Sequence, residues 1–148
     1  MILTTKGRYA VMAMVDIAIN QASKPVSLSD ISMRQEIDLG YLEQIFAKLK
    51  KYGLVDSVRG PGGGYKLSRQ KHEITISDIM LAVDENMKMT RCENGSSAGC
   101  LNGKARCATH HLWDELGSRI GNYLESVNLD DVLSKCVGKV FTQMRVIS

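Results

Sequence analysis

The chain has 148 residues, of which 44% are hydrophobic and 24% charged, and its formal net charge is +3. This length allows one domain or two very small ones, and no apolar run is long enough to span a membrane. Without a secretory signal, we expect a cytoplasmic protein with reduced thiols. Residues 1–71 carry eleven Lys/Arg against six Asp/Glu, and residues 72–148 carry eight against ten. This division suggests a polyanion partner for the first part and sensing for the second, unless it merely reflects solvated faces.

Helical spacing and capping residues predict three helices in the first fifty residues. The third is sharply two-faced, because its apolar side chains all fall on one side of the helix. The predicted helices are a first one capped by Thr4 or Thr5 and ended by Lys24-Pro25, a second from the capping box Ser27-x-x-Asp30 through Gln35, and a third from Asp38 to about Lys51. The apolar positions of the third helix are Leu42, Ile45, Phe46 and Leu49, opposite Gly40, Glu43, Gln44, Ala47 and Lys51.

A glycine-rich hairpin is predicted after the third helix. Leu54–Val58 and Tyr65–Leu67 are short strands, and the turn-rich segment 59–64 joins them. Two helices followed by such a hairpin form a winged helix-turn-helix, in which the second helix of the pair enters the DNA major groove.

The remaining half contains a short helix, a cysteine-containing loop and a long helix. Thr75-x-x-Asp78 is a capping box that starts a helix to about Asp84. The long helix is predicted from Cys107 to about Val127, and a last short helix from Asn128. No strong structural signal follows Ser134.

The exposed face of the third helix and the hairpin tip supply the candidate DNA contacts. Glutamine can bond to adenine, glutamate can accept from cytosine, and lysines can neutralise phosphates. An arginine on a narrow loop can enter the minor groove. The alternatives are a plain solvated helix face and a phosphate-binding loop, although Gly64 is not followed by the Lys-Ser/Thr that the latter requires. The candidate contacts are Tyr41, Glu43, Gln44, Lys48, Lys51 and Arg59.

Three cysteines and a histidine are grouped as Cys92-x7-Cys100-x6-Cys107-x2-His110. Disulfides would pair two of these cysteines and leave one over, whereas thiolates and an imidazole are suitable ligands for a metal. Zinc sites usually bring their first two cysteines closer together. The wide spacing therefore favours an iron–sulfur cluster with two irons over the alternatives of zinc and unligated surface cysteines.

The long helix carries an apolar stripe with heptad-like spacing, formed by Trp113, Leu116, Ile120, Tyr123 and Val127. Gly117 and Gly121 lie one turn apart, so a partner backbone could approach closely. We expect a homodimer through this helix, with a plain core helix as the alternative.

Three motifs resemble the IscR-like iron–sulfur cluster regulators, a winged-helix family that also includes NsrR. They are the opening segment 3–10 (LTTKGRYA), the helix segment 41–44 (YLEQ) and the hairpin segment 58–65 (VRGPGGGY). The resemblance runs from Met1 to about Val127. It implies a homodimeric transcription factor in which Cys92, Cys100, Cys107 and His110 hold a 2Fe–2S cluster.

The sequence thus predicts a mainly α protein with a small β-hairpin wing and a long dimerisation helix. Its expected parts are a winged helix-turn-helix domain at 1–71, a cluster-binding loop and dimerisation helix at 72–134, and a tail at 135–148. We expect a regulator, not an enzyme, that binds double-stranded operator DNA as a homodimer and controls cluster-assembly genes. The alternatives are a nitric-oxide or redox-responsive repressor of the same fold and a small iron–sulfur electron carrier.

Overall fold

The fold consists of helices and one β-hairpin in the computed structural model. The structure describes residues 3–90, 99–103 and 105–135. The elements are α1 (Thr5–Asn20), α2 (Leu28–Gln35), α3 (Leu39–Lys51), β1 (Val55–Val58), β2 (Gly64–Leu67), a 3-10 turn (Lys71–Glu73), α4 (Ile76–Ala82) and α5 (His110–Ser126). Residues 129–135 are also helical. The predicted class, mainly α with a hairpin wing, is confirmed.

Side-chain caps fix the start of the first four helices, as their sequences predict. In each case a short polar side chain accepts a hydrogen bond from an amide that the helix leaves unpaired. The caps are Thr4 to Gly7 N, Ser27 to Asp30 N, Asp38 to Tyr41 N and, with Asp78 bonding back to the cap, Thr75 to Asp78 N.

Two helix boundaries differ from the prediction. Helix α1 ends at Asn20, with Gln21 as its C-cap, before it reaches Lys24-Pro25. Helix α5 begins at His110 rather than Cys107, because His110 N donates to Cys107 O at 3.0 Å and closes a turn there. Cys107 therefore precedes α5 instead of lying on it.

The core lies between α1, α2, α3 and α4, with the hairpin closing one side. The apolar face predicted for α3 is confirmed, since Leu42, Ile45, Phe46 and Leu49 are all buried. The chain after α5 returns to this core: Leu129 is fully buried, and Ile76 N donates to Val127 O at 2.9 Å. Helix α4 and the described segment after α5 are thus packed onto the same core as the first three helices.

A buried carboxylate holds α2 against α1. Asp16, which is 1% exposed, accepts from the Nε and Nη2 atoms of Arg34 at 3.0 and 2.7 Å and from Gln35 Nε2 at 2.8 Å. Burial raises the pKa of Asp16, but these hydrogen bonds and the charge of Arg34 outweigh it and lower the pKa below its ordinary value. The carboxylate is therefore ionised and fixes the angle between the two helices.

The hairpin pairs in antiparallel register from Val55 with Leu67 to Val58 with Gly64. Val26 adds a bridge to Tyr65, with N–O distances of 2.8 and 2.7 Å. A Cβ at Gly64 would overlap the backbone of Val26, so glycine permits this close approach. In the described part of the chain, no helix is long and apolar enough to cross a bilayer.

Candidate functional site

Helix α3 directs a polar face away from the core. Glu43, Gln44, Ala47 and Lys51 are exposed on it, because the opposite face is buried against α1, α2 and α4. Tyr41 is half-buried, and its ring meets that of Tyr9 edge-on with centroids 5.9 Å apart. The helix thus offers a glutamine, a glutamate and a lysine at the spacing of side chains that reach base edges and phosphates.

The wing extends the same polar region. Arg59 is exposed at the hairpin tip, next to Gly60, whose φ of 100° lies in the region that favours glycine. Lys50 of α3 donates to Ser57 Oγ of β1 at 2.7 Å and so ties the helix to the hairpin. The helix face and the wing tip are therefore held together as one surface.

Lys48 differs from the other predicted DNA contacts because it is already paired. Its Nζ lies 2.6 Å from Asp84 Oδ2, just beyond the end of α4. No sequence spacing indicated this pair, since the partners are 36 residues apart.

Two of the four predicted cluster ligands face each other. His110 Nδ1 lies 3.1 Å from Cys100 Sγ, and His110 is only 2% exposed. The third, Cys107, lines the same cavity of about 330 Å³, and its Sγ lies 3.7 Å from Thr109 Oγ1. The fourth, Cys92, lies outside the described residues, as does Cys136.

Over residues 3–90, 99–103 and 105–135, no group of three His, Cys, Asp or Glu side chains is close enough to hold a metal ion. A thiol and an imidazole on one cavity wall nevertheless suit an iron–sulfur group, which prefers thiolate and imidazole donors. The cavity lies between the segment before the cysteine loop and the start of α5, and it is lined by Met89, Thr90, Cys100, Leu101, Cys107, Thr109, His110 and Trp113.

Arg106 is a neighbour of this site that the sequence analysis missed. Its guanidinium contacts His110 Nε2. The contact occupies the Nε2 side of the ring, so Nδ1 is the nitrogen on the side of Cys100. His111, in contrast, is exposed. The spacing of four residues between Arg106 and His110 was the available signal, but it lies across a turn and not within a helix.

Glu85 is a second residue that was missed. Its carboxylate accepts from Thr4 N and Gly7 N, each at 3.1 Å, and from the Thr4 hydroxyl. Burial raises the pKa of Glu85, but these bonds and the charge of Lys6 lower it overall. A Cβ at Gly7 would lie 2.7 Å from Glu85 Oε2, so the glycine in the opening motif makes room for this carboxylate. Glu85 therefore joins the segment before the cysteine loop to the start of α1.

Helix α5 leaves large apolar side chains exposed, at Leu112, Trp113, Leu116 and Tyr123. Gly117 does not face outwards, since a Cβ there would lie 3.4 Å from Met89 of the same chain. At Gly121, apart from its chain neighbours and the adjacent backbone of α5, no atom of the described residues lies within 4 Å of the corresponding position. Gly117 thus packs within its own chain, and the close approach of a partner at Gly121 stays a prediction.

The chain is similar to known transcriptional regulators along most of its length. The family model "Rrf2: Iron-dependent Transcriptional regulator" matches residues 3–135. The HTH-type transcriptional regulator IscR of Vibrio parahaemolyticus is 50% identical over 132 residues, which cover 89% of this chain and 77% of that protein. IscR of Photorhabdus laumondii is also 50% identical over 132 residues, covering 89% and 79% of the two chains.

Solved structures of regulators share the fold. T. potens IscR superimposes with a TM-score of 0.74 at 34% identity, covering 92% of this chain and 88% of that one. CymR, the global cysteine regulator of B. subtilis, gives a TM-score of 0.75 at 28% identity, covering 91% of this chain and 98% of that one.

Proposed function

Since this chain belongs to the Rrf2 family of iron-dependent transcriptional regulators, it is a DNA-binding regulator and not an enzyme, and we propose that it senses iron–sulfur status through a 2Fe–2S cluster. In this proposal it works in the cytoplasm, represses cluster-assembly genes when the cluster is bound, and releases them when the cluster is lost. The relatives favour this function over an electron carrier, whose DNA-reading face would have no use.

The approach of Cys100 Sγ to His110 Nδ1 is the observation that carries the cluster proposal. With Cys107 on the same cavity and Cys92 in the adjoining segment, these residues would hold the cluster as three thiolates and one imidazole. Such a group supplies reversible one-electron chemistry and is lost when iron or sulfide is scarce.

Cluster binding depends on the protonation state of the ligand side chains. Thiols must lose a proton and the imidazole must be neutral to bind, so occupancy falls in acid. Nδ1 would be the ligand atom because it faces Cys100 Sγ. Nε2 would then carry the ring proton, so Arg106, which can only donate, would have to release it. A neutral histidine in place of a thiolate makes the site easier to reduce than an all-cysteine site, as suits a sensor.

The DNA surface of the proposal consists of the α3 face and the wing tip. Tyr41, Glu43 and Gln44 would read bases near the start of α3, Lys48 and Lys51 would contact the backbone, and Arg59 would enter the minor groove. A homodimer through the exposed face of α5 would present two such surfaces to half-sites about one helical turn apart. The exposed Leu112, Leu116 and Tyr123 support this pairing, because burying them in a partner would remove apolar surface from water.

Anaerobic purification followed by an absorption spectrum and by iron and sulfide analysis tests the cluster proposal. We expect coloured protein with two irons and two sulfides per chain, and colourless protein for Cys92→Ala, Cys100→Ala and Cys107→Ala. Cys136→Ala, outside the motif, is the matched control and should stay coloured. Stoichiometric zinc in colourless wild-type protein would show that the cofactor is wrong while leaving the DNA-binding function intact.

A further inference from the structure

Asp84 is an acidic residue placed among lysines at the edge of the proposed DNA surface. Its Oδ2 accepts a hydrogen bond from Lys48 Nζ of α3 at 2.6 Å, and its carbonyl accepts one from Lys6 Nζ of α1 at 3.4 Å. Lys51 lines the same cleft as Lys48 and Asp84. The carboxylate therefore lies where basic side chains from two helices converge.

Lys48 belongs to the part of α3 that would face the DNA backbone. It lies four residues after Gln44 and three before Lys51, so the three side chains are neighbours on one side of the helix. A phosphate following that side would approach the ammonium group that Asp84 already contacts. Carboxylates and phosphates both offer anionic oxygens to lysine, so one can replace the other.

We infer that Asp84 competes with the DNA backbone for Lys48 and thereby limits the affinity of the protein for DNA of any sequence. The inference rests on the proposed DNA surface. Because Lys48 must exchange one anion for another on binding, its contact with phosphate adds less than that of an unpaired lysine. Asp84 thus acts on affinity without itself contacting a base.

The accessibility of the pair allows this exchange. The two side chains are 43% and 74% exposed, and ion pairs this open to water contribute little to stability. The hydrogen bond and charge of Lys48, together with the charges of Lys6 and Lys51, lower the pKa of Asp84, so the carboxylate is ionised at neutral pH. It is therefore an anion whenever DNA approaches.

Asp84→Asn is a suitable test because it removes the charge and keeps the shape. The φ of Asp84 is 55°, in the left-handed region that asparagine tolerates better than most side chains. The chain also offers a matched control. Lys71 of the 3-10 turn and Asp130 of the helix after α5 form another exposed Lys–Asp pair, with N–O 3.8 Å, so Asp130→Asn makes the same charge change on other elements.

Affinity of the full chain for a DNA duplex of random sequence would be measured over a series of salt concentrations. We expect Asp84→Asn to bind about two- to fivefold more tightly at low salt. The slope of log affinity against log salt should become steeper by about one unit, because one more lysine releases a counterion from the DNA. Asp130→Asn should bind as the wild type does.

A second background distinguishes direct competition from a general charge effect. In Lys48→Gln protein, Asp84→Asn should no longer increase affinity, because the contested lysine is gone. The inference is overturned if the gain persists there, or if Asp84→Asn weakens binding, which would mean that Asp84 positions Lys48 for DNA. If Lys48→Gln and Lys51→Ala both bind DNA as wild type does, the proposed DNA surface itself is wrong.

Discussion

Two adjacent histidines at the start of α5 have opposite environments. His110 is buried with Nδ1 facing Cys100 Sγ at 3.1 Å, whereas His111 is exposed. We predict that His110→Ala yields colourless protein after anaerobic purification and that His111→Ala keeps the visible absorption of the wild type. Absorption spectra with iron analysis check this. Loss of colour in His111→Ala alone would show that the neighbouring ring is the ligand.

Gln44 and Lys51 are both exposed on α3, but their chemistry gives them different tasks. Gln44→Ala should cost about 1–3 kcal/mol on the preferred operator and little on random DNA, because it removes a base contact. Lys51→Ala should weaken binding to both DNAs and reduce the salt slope by about one unit. Fluorescence anisotropy with both duplexes measures the two effects. Equal losses on both DNAs for Gln44→Ala would contradict its role in reading bases.

The contact between α1 and α2 depends on Asp16 and Arg34. Asp16→Asn should lower the free energy of unfolding by about 1–3 kcal/mol, because a buried charge-assisted hydrogen bond is lost. Since the folded-state pKa of Asp16 lies below its ordinary value, its contribution is present at neutral pH. It is lost as pH falls below about 4 and through the lowered pKa.

Urea unfolding at neutral and acidic pH measures this contribution. The wild type should lose more stability on acidification than Asp16→Asn does, so the two proteins should converge in acid. Glu115→Gln is the control, because Glu115 pairs with Arg119 on the exposed side of α5 at 2.7 Å and such pairs contribute little. A constant difference between wild type and Asp16→Asn at every pH would contradict the prediction.

Local signals explain why most helix starts could be predicted. The caps at Thr4, Ser27, Asp38 and Thr75 each act within three residues, so spacing alone identifies them. The start of α5 was predicted too early because a turn closed by His110 N and Cys107 O precedes the helix. The N-cap Thr109 makes no side-chain hydrogen bond that would mark the boundary. Periodicity locates an amphipathic helix more reliably than it locates its ends.

The same limit applies to the site. The polar face of α3 follows from helical spacing, but its pairing with Asp84 joins residues 36 positions apart. The bond from Thr4 to Glu85 spans 81 positions. Contacts of this kind depend on how α4 packs against α1 and α3, which no local pattern specifies.

At the scale of the whole molecule, the proposed homodimer uses the exposed apolar face of α5 as its interface. Leu116→Glu should yield a monomer, because a charge would have to be buried in the apolar interface. Light scattering after gel filtration measures the mass, with Glu115→Gln on the same helix as control. Binding to DNA with two half-sites should fall sharply, while binding to one half-site should change little. A dimer of unchanged stability in Leu116→Glu would place the interface elsewhere.

Glu85 and His110 mark the two ends of the cysteine-containing segment, and both are buried, at 7% and 2% exposure. Glu85 is hydrogen-bonded to the start of α1, and His110 is the first residue of α5. The candidate DNA contacts all precede Glu85 in the sequence, so changes between these two points replace none of them. CymR, the global cysteine regulator of B. subtilis, shares the fold at 28% identity. In evolutionary terms, we expect the signal that we propose for this segment to diverge independently of the residues that we propose to contact DNA.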